Sequence, residues 1–213
     1  MKNRLRELSV LAGMFPSFDS NSVPDDPYPL FLQWLNSAIE GNVLEPHAMT
    51  LSTVDHRGIP DARVLILKNV DETGWYFASS AESRKGVQLK ENPAAALTFY
   101  WPEMGRQVRI RGNVVECDRK ESEQDFLHRG LTAKAIAMIG KQSSVLEDVE
   151  EFEAQLQEKS RLLDNDQVVY SNWILYRVEA KEVEFWQGKP DRKHIRIRYR
   201  LEPHGWMNEQ LYP

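Results

Sequence analysis

Apolar residues near the start of the chain recur at the spacing of one helix face. They are Phe31, Trp34, Leu35, Ala38 and Ile39, which stand at i, i+3, i+4, i+7 and i+8. Asp26 followed by Pro27 is a typical helix start, and Gly41 is a typical helix end. The pattern predicts one amphipathic helix whose apolar stripe packs against a core.

From residue 48 onward the period changes to the alternation that is typical of strands. Strands are predicted at 48–54, 60–70, 75–79, 94–101, 107–117, 172–180, 183–186, 192–200 and 205–211, and helices at 83–91, 118–129 and 145–163. Most of these strands follow one another through short turns, as antiparallel strands do. We therefore predict a mainly β protein, an antiparallel barrel with peripheral helices, rather than a doubly wound sheet.

The N-terminal residues differ in pattern from the rest of the chain. Residues 1–13 suit a short helix, and residues 17–29 suit an extended segment. We expect residues 1–25 to form an N-terminal arm, with a mobile lid as one role for it. Residues 26–213 have a length that suits one domain with a sizeable core.

Charge and composition exclude several classes of function. The net charge of -5 argues against a general nucleic-acid binder. The basic residues are nevertheless bunched at 63–85, 106–111 and 189–200, which favours a local anion site. The single cysteine, Cys117, excludes an intrachain disulfide. No apolar run suits a signal peptide or a membrane span, so we expect a cytoplasmic protein.

Familiar catalytic motifs are missing from the sequence. The five histidines, at 47, 56, 128, 194 and 204, form no i, i+4 pair, so no metal site is predicted. The sequence contains no Gly-x-Ser-x-Gly elbow, no Gly-x-Gly-x-x-Gly loop and no Walker-type loop. A bound phosphate would therefore have to be held by side chains and a helix turn.

Four cations occur within one short stretch. Arg63 and Lys68 bracket an apolar run, and Arg84 and Lys85 follow Ser83 at the predicted start of a helix. A helix N-terminus repels cations unless an anion binds there, so this pattern favours a phosphate site. The alternative is a set of solvated surface charges. On one strand, residues 63 and 68 point to opposite faces unless the strand bulges.

Two further segments carry polar groups suited to a ligand. The first contains Gln142 and Ser143; its alternative role is a helix cap, with Ser144 capping a helix that starts at 145. The second contains an aromatic pair that ends at Trp186 and then three polar residues at alternate positions. These are Arg192, His194 and Arg196. They would share one strand face, as they would also in a solvated edge strand.

Together these segments resemble the pyridoxamine 5'-phosphate oxidase family from about residue 25 to residue 213. The motifs that carry the resemblance are Arg-x-x-x-x-Lys, Ser-Arg-Lys, Glu-Asn-Pro, Arg-Gln-Val, Lys-Gln-Ser-Ser, Glu-Phe-Trp-Gln-Gly and Arg-x-His-x-Arg. The resemblance implies a split β-barrel of antiparallel Greek-key type and a homodimer with FMN at the subunit interface. The FMN contacts that it implies are Arg63, Val64, Lys68, Ser79, Arg84, Lys85, Gln107, Gln142, Ser143, Trp186 and Arg196.

The resemblance also implies a reaction. Pyridoxine or pyridoxamine 5'-phosphate would be oxidised to pyridoxal 5'-phosphate, and O2 would reoxidise the flavin and leave as hydrogen peroxide. Lys68 and Arg129 would bind the substrate phosphate, while Arg192 and His194 would position the ring and act as the catalytic pair.

Two positions depart from the family pattern at the substrate phosphate. Asp125 stands where the family has a tyrosine, and Ala133 where it has a serine. A carboxylate repels a phosphate, and alanine removes a hydrogen-bond donor. Two alternatives therefore stay open: a related flavin oxidase that acts on another heterocycle, as in phenazine biosynthesis, and an FMN-binding protein without turnover.

Overall fold

The computed structural model describes residues 1–165 and 168–213, and the two residues between these ranges lie outside the described part of the expected 26–213 domain. The helices are α1 Lys2–Arg6, α2 Pro27–Glu40, α3 Arg84–Glu91, α4 Arg119–Leu127, α5 Leu131–Ile139 and α6 Val149–Asn165, with a 3-10 turn at Pro102–Met104. The strands are β1 Ala48–Val54, β2 Pro60–Ile66, β3 Asn69–Asp71, β4 Gly74–Ser80, β5 Ala94–Trp101, β6 Arg106–Glu116, β7 Trp173–Gln187, β8 Ile195–Glu202 and β9 Gly205–Leu211.

All nine of these strands belong to one antiparallel sheet, which curls into a split barrel. Its order is β2-β1-β5-β6-β7-β4-β3, and β8 and β9 extend from the second half of β7. Strands β2 and β3 stand at opposite ends of this order, and only two residues, Leu67 and Lys68, connect them. Leu67 N–H donates to His47 O, next to β1, and Lys68 N–H donates to Tyr76 O, on β4. This short connection forces the two ends of the sheet toward each other.

The core lies inside the curl of the sheet. β1 alternates buried and half-buried residues, because only one of its faces packs against the core. Helix α2 covers the open side, and its Phe31 packs edge-on against Trp75 and Phe99. A second cluster lies on the outer side of β4 and β7, around Phe126 of α4. β4 is therefore buried along its whole length.

The structure confirms the antiparallel barrel with peripheral helices and most of the predicted elements. The α2 helix begins after Asp26, whose carboxylate accepts from Tyr28 N–H at 2.7 Å, and it ends at Gly41. Alternation and turn residues identified β1, β5 and β9 with their observed bounds. These elements have strong local signals, so their prediction needed no tertiary information.

Several predicted boundaries are wrong. The predicted strand 60–70 is broken at Leu67, where the chain changes partners from β1 to β4. The predicted strands 172–180 and 183–186 are one strand, β7, because the polar residues between them form a β-bulge opposite Arg111 and Gly112 rather than a turn. Strand β8 begins at Ile195 instead of 192.

The region between β6 and β7 also differs from the prediction. Helix α5 was not predicted as a separate element, and α6 begins at Val149 rather than at 145. Ser144 is therefore not its cap. Asp148 Oδ1 instead accepts from the N–H groups of Glu150 and Glu151, at 2.8 and 3.0 Å.

The N-terminal segment contacts the barrel at several points. Phe18 packs edge-on against Trp34 with ring centroids 5.1 Å apart, and Tyr199 Oη donates to Pro24 O at 2.8 Å. The lid role and the boundary at residue 25 stay predictions. Within the ranges that the structure describes, no helix is both long and apolar enough to cross a membrane.

Candidate functional site

The N-terminus of α3 presents two cations in its first turn, as the sequence predicts. Ser83 caps the helix, since its Oγ accepts from Gly86 N–H at 3.2 Å and donates to Ser80 O at 2.7 Å. This cap fixes the direction of Arg84 and Lys85. The first N–H groups of a helix have no intrahelical partner, so they add donors at the same place.

Lys85 is the most telling residue of this turn, because it is a buried cation. The residue is 6% exposed, and its Nζ donates to the Ser83 hydroxyl at 3.1 Å and to Gln142 Oε1 at 3.0 Å. No carboxylate in the described part of the chain forms an ion pair with it. Burial, and then the charge of Arg63, lower the pKa of Lys85 to about 8. A bound anion would compensate this buried charge.

Five side chains gather at this point and form what we call the cationic cluster. They are Arg63, Ser79, Arg84, Lys85 and Gln142. Ser79 Oγ lies 3.2 Å from Ser83 Oγ, on the side of β4 that faces the barrel interior. Ser143 follows Gln142 with a left-handed backbone, at φ 74°, which is uncommon for a residue with a side chain.

An acidic residue that contacts the cationic cluster was missed by the sequence analysis. Asp61 Oδ2 lies 2.7 Å from Arg63 Nη2 and 3.2 Å from Arg84 Nε. Beneath it, Arg63 Nη1 donates to Thr53 Oγ1 at 2.7 Å, and Thr53 Oγ1 donates to Gln88 Oε1 at 2.6 Å. The i, i+2 spacing of Asp61 and Arg63 on one strand face was the available signal.

A second group of predicted flavin contacts lies on the outer face of the sheet. Gln107, Trp186 and Arg196 are direct neighbours across β6, β7 and β8, so their side chains share one face. Arg196 Nε donates to Glu184 Oε1 at 2.9 Å. Val64 also lies on the outer face, whereas Arg63 beside it points inward to Thr53. The predicted flavin contacts are thus separated by the sheet.

The predicted catalytic pair lies in the turn before β8 rather than on the strand. Arg192 has a left-handed backbone, at φ 65°, and its carbonyl accepts from His194 N–H at 2.9 Å. The His194 ring lies 4.8 Å from that of Trp186, between centroids. Its Nδ1 accepts from Lys189 N–H at 3.1 Å, which leaves Nε2 as the protonated nitrogen of the neutral ring.

The predicted substrate residues surround Asp125. Lys68 Nζ lies 3.3 Å from Asp125 Oδ1, and Trp173 Nε1 donates to Asp125 Oδ2 at 2.8 Å. The Arg129 guanidinium stacks 3.9 Å above the Trp173 ring. Burial lowers the pKa of Arg129, an effect that Asp125 opposes. The side chains of Lys68 and Arg63 contact different residues, because the chain leaves β1 and joins β4 between these two positions.

A pocket of about 420 Å³ opens beside these residues. Arg129, Ala133 and Trp173 form part of its wall, and Gln142 connects it to the cationic cluster. The Nε of Arg129 is buried and has no partner among the described residues. The pocket thus offers apolar walls and a guanidinium donor to a ligand that lies near the cationic cluster.

In residues 1–165 and 168–213, no three histidine, cysteine, aspartate or glutamate side chains come together as a metal site would require. The site residues described above can bind an anion, form hydrogen bonds and pack against an aromatic ring.

The fold is an antiparallel split barrel with two cations in the first turn of α3, and sequence comparison identifies the family of split-barrel proteins to which the chain belongs. Residues 35–161 match the family described as pyridoxamine 5'-phosphate oxidase. Residues 173–213 match the pyridoxine 5'-phosphate oxidase C-terminal dimerisation region.

The chain aligns with curated relatives over most of their length and of its own. A pyridoxine/pyridoxamine 5'-phosphate oxidase of Azotobacter vinelandii is 44% identical over 193 residues, which are 89% of this chain and 90% of the relative. One from Wolbachia pipientis is 41% identical over 194 residues, 90% of each chain. The chain belongs to the pyridoxamine 5'-phosphate oxidase family and is a flavin-dependent oxidoreductase.

A solved structure confirms the split-barrel fold. PhzG from Burkholderia lata, in complex with tetrahydrophenazine-1-carboxylic acid, superposes with a TM-score of 0.89 at 30% identity. The match covers 94% of this chain and 100% of PhzG. The cationic cluster fits the flavin that the family implies, since buried Lys85 has no carboxylate partner in the described chain and would gain an anion.

Proposed function

We propose that the protein is an FMN-dependent oxidase that converts pyridoxine or pyridoxamine 5'-phosphate to pyridoxal 5'-phosphate. The observation that carries this proposal is the buried Lys85 at the start of α3, which forms no ion pair with a carboxylate of the described residues and has Arg84, Arg63 and Gln142 beside it. A terminal phosphate monoester would satisfy all of these donors. Riboflavin has no such group, so the cluster supports FMN in particular.

Each part of the site has a task in this reaction. FMN, when bound, supplies the two-electron acceptor, and O2 restores it and leaves as hydrogen peroxide. Lys68 and Arg129 would bind the substrate phosphate, with Arg129 in the wall of the pocket. Arg192 and His194 would orient the pyridine ring, with His194 Nε2–H as a donor because Nδ1 already accepts from Lys189.

The purified protein tests this proposal directly. We expect a yellow protein with flavin absorption bands, and the formation of aldehyde and peroxide from pyridoxine 5'-phosphate in equal amounts. A folded protein that takes up no FMN would refute the cofactor. A protein that holds FMN but forms neither product from either phosphorylated substrate would refute the reaction alone.

We also propose that two copies of the chain build each site. Gln107, Trp186 and Arg196 lie on the outer face of the sheet, whereas Arg63 faces inward, so one flavin would meet both groups only if a partner supplied one of them. The match of residues 173–213 to a dimerisation region supports this arrangement.

Mixed dimers test the shared site. Lys85→Met should impair one group, and Arg196→Met the other. If the sites are shared, a dimer with one subunit of each variant has one intact site and binds about one FMN per dimer. If each site lies within one chain, both sites of the mixed dimer are defective, and its FMN affinity matches that of the variants.

A second candidate keeps the flavin but changes the substrate. Asp125 already pairs with Lys68, at 3.3 Å, so the residues predicted to bind the substrate phosphate are less suited to a dianion. PhzG, with a tricyclic monocarboxylate bound, supports a less charged heterocycle. Anaerobic reduction of the bound flavin distinguishes the two candidates, because only the preferred substrate class should bleach it rapidly.

A further inference from the structure

Asp61 is the acidic member of an otherwise cationic site. Its Oδ2 forms ion pairs with Arg63 Nη2 at 2.7 Å and with Arg84 Nε at 3.2 Å, and it accepts a hydrogen bond from Gln88 Nε2 at 3.4 Å. Both arginines are predicted to bind a cofactor phosphate. The Asp61 carboxylate is therefore an anion that both arginines already contact.

Contacts with neighbouring side chains hold Asp61 and Arg63 in place, whereas the exposed Arg84 side chain can move. Thr53 and Gln88 are buried, and together they bind the Arg63 guanidinium from below. The Arg84 side chain is 65% exposed, against 20% for Arg63. Arg84 can therefore turn from Asp61 to an incoming ligand, whereas Arg63 and Asp61 stay together.

The charges of the site add up to the charge of one ligand class. Three cations, Arg63, Arg84 and Lys85, and one carboxylate, Asp61, leave two positive charges. A phosphate monoester carries close to two negative charges at neutral pH. Burial would raise the pKa of Asp61, but Arg63 and Arg84 lower it overall, so Asp61 stays ionised.

We propose that Asp61 is an internal counter-anion that stabilises the cofactor-free protein and limits its affinity for the phosphate of FMN. This inference rests on the proposed FMN cofactor. Removal of the Asp61 charge would leave three cations facing a dianion, which strengthens binding. It would also leave two arginines close together without a counter-charge when no cofactor is bound. The Asp61 carboxylate thus lowers the affinity for the cofactor and raises the stability of the cofactor-free protein.

The test compares wild type with Asp61→Asn, which keeps the shape and removes the charge. Dissociation constants for FMN and for riboflavin are measured by flavin fluorescence quenching, and the Tm of the cofactor-free protein by differential scanning fluorimetry. We expect FMN to bind about tenfold more tightly at low salt, with a smaller gain at high salt. Riboflavin affinity should not change, and the Tm of the free protein should fall.

A matched control removes one negative charge from the same hairpin. Asp55→Asn keeps the turn contacts that Asp55 makes with Arg57 and Ile59 N–H, but it lies outside the cluster. It should leave both flavin affinities unchanged. An equal gain in FMN affinity from Asp55→Asn would mean that net charge alone is responsible, and this would overturn the proposal.

The remaining outcomes also decide the question. Unchanged or weaker FMN binding by Asp61→Asn would mean that Asp61 only orients the arginines, which overturns the proposal. If this variant does not fold alone, it is refolded with FMN, where tighter binding should rescue it. Failure of that rescue, for Asp61→Asn and Asp61→Ser alike, also overturns it. Wild type that binds no FMN refutes the cofactor itself, before any variant is made.

Discussion

The substitution Asp125→Asn tests how the predicted substrate-phosphate residues select the substrate. Asp125 is 13% exposed, and its carboxylate lies 3.3 Å from Lys68 Nζ and accepts from Trp173 Nε1. Asparagine keeps an oxygen for Trp173 and removes the charge. Because Lys68 would then be free to pair with the substrate phosphate, we expect pyridoxine 5'-phosphate to bind more tightly.

The size of the effect follows from the geometry. A phosphate on the far side of Lys68 would lie about 6 Å from the Asp125 carboxylate, where repulsion of a dianion amounts to about 1.5–3 kcal/mol at an effective dielectric constant of about 40–80. The loss of the Lys68 ion pair costs about 0–1 kcal/mol of folding stability. The KM for pyridoxine 5'-phosphate should therefore fall about tenfold or more, with little change in kcat.

Steady-state formation of aldehyde and peroxide provides the assay. Unphosphorylated pyridoxine, which lacks the dianion, should keep its KM. Glu123→Gln is the control, since Glu123 lies on the same helix and pairs with Arg119 at 2.7 Å, away from the pocket. If a folded Asp125→Asn protein has an unchanged or higher KM for pyridoxine 5'-phosphate, the electrostatic account of Asp125 is incorrect.

Three further predictions concern the cofactor, the outer face and the core. FMN binding should weaken as the pH rises through 8, because Lys85 has a pKa of about 8 and loses its proton there. In fluorescence titrations between about pH 7 and 9.5, the variant Lys85→Arg should not show this weakening, since arginine keeps its charge. Burial would raise the pKa of Glu184, but hydrogen bonds from Arg196 and Arg109 lower it overall. These pairs stabilise the fold above the unfolded pKa of about 4.3 and are lost as the pH falls through the folded value, so Glu184→Gln should flatten the decline of Tm below about pH 5. Phe185→Ala should reduce the free energy of unfolding, measured in urea titrations, by about 3–5 kcal/mol. The reason is that Phe185 is fully buried between Trp34 and Tyr199. A loss below about 1 kcal/mol would contradict this prediction.

The sequence predicted those features that depend on local patterns. The predicted helix start at Ser83 put Arg84 and Lys85 in a first helical turn, and the predicted strand at 107–117 corresponds to β6. Such features need only the periods of helix and strand and the chemistry of caps. They accounted for the barrel class and for the position of the two cations at the start of α3.

Features that depend on distant contacts were not predictable in this way. Asp61 is an ordinary strand residue until Arg84, from another element, approaches it. The predicted turn within β7 is a bulge because β6 continues beside it, and Asp125 meets Lys68 only after α4 packs on the sheet. In each case tertiary packing decided the outcome, and local propensity did not.

The two-residue connection at Leu67 and Lys68 has a consequence for folding. The hairpins β1–β2 and β3–β4 join neighbours in sequence, so each can form quickly by itself. The pairings between them run through β5, β6 and β7, and β6 and β7 are separated by three helices. Closing a long loop costs chain entropy before the new contacts repay it. We expect β6–β7 pairing to be the slow event in folding, after the two hairpins have formed separately.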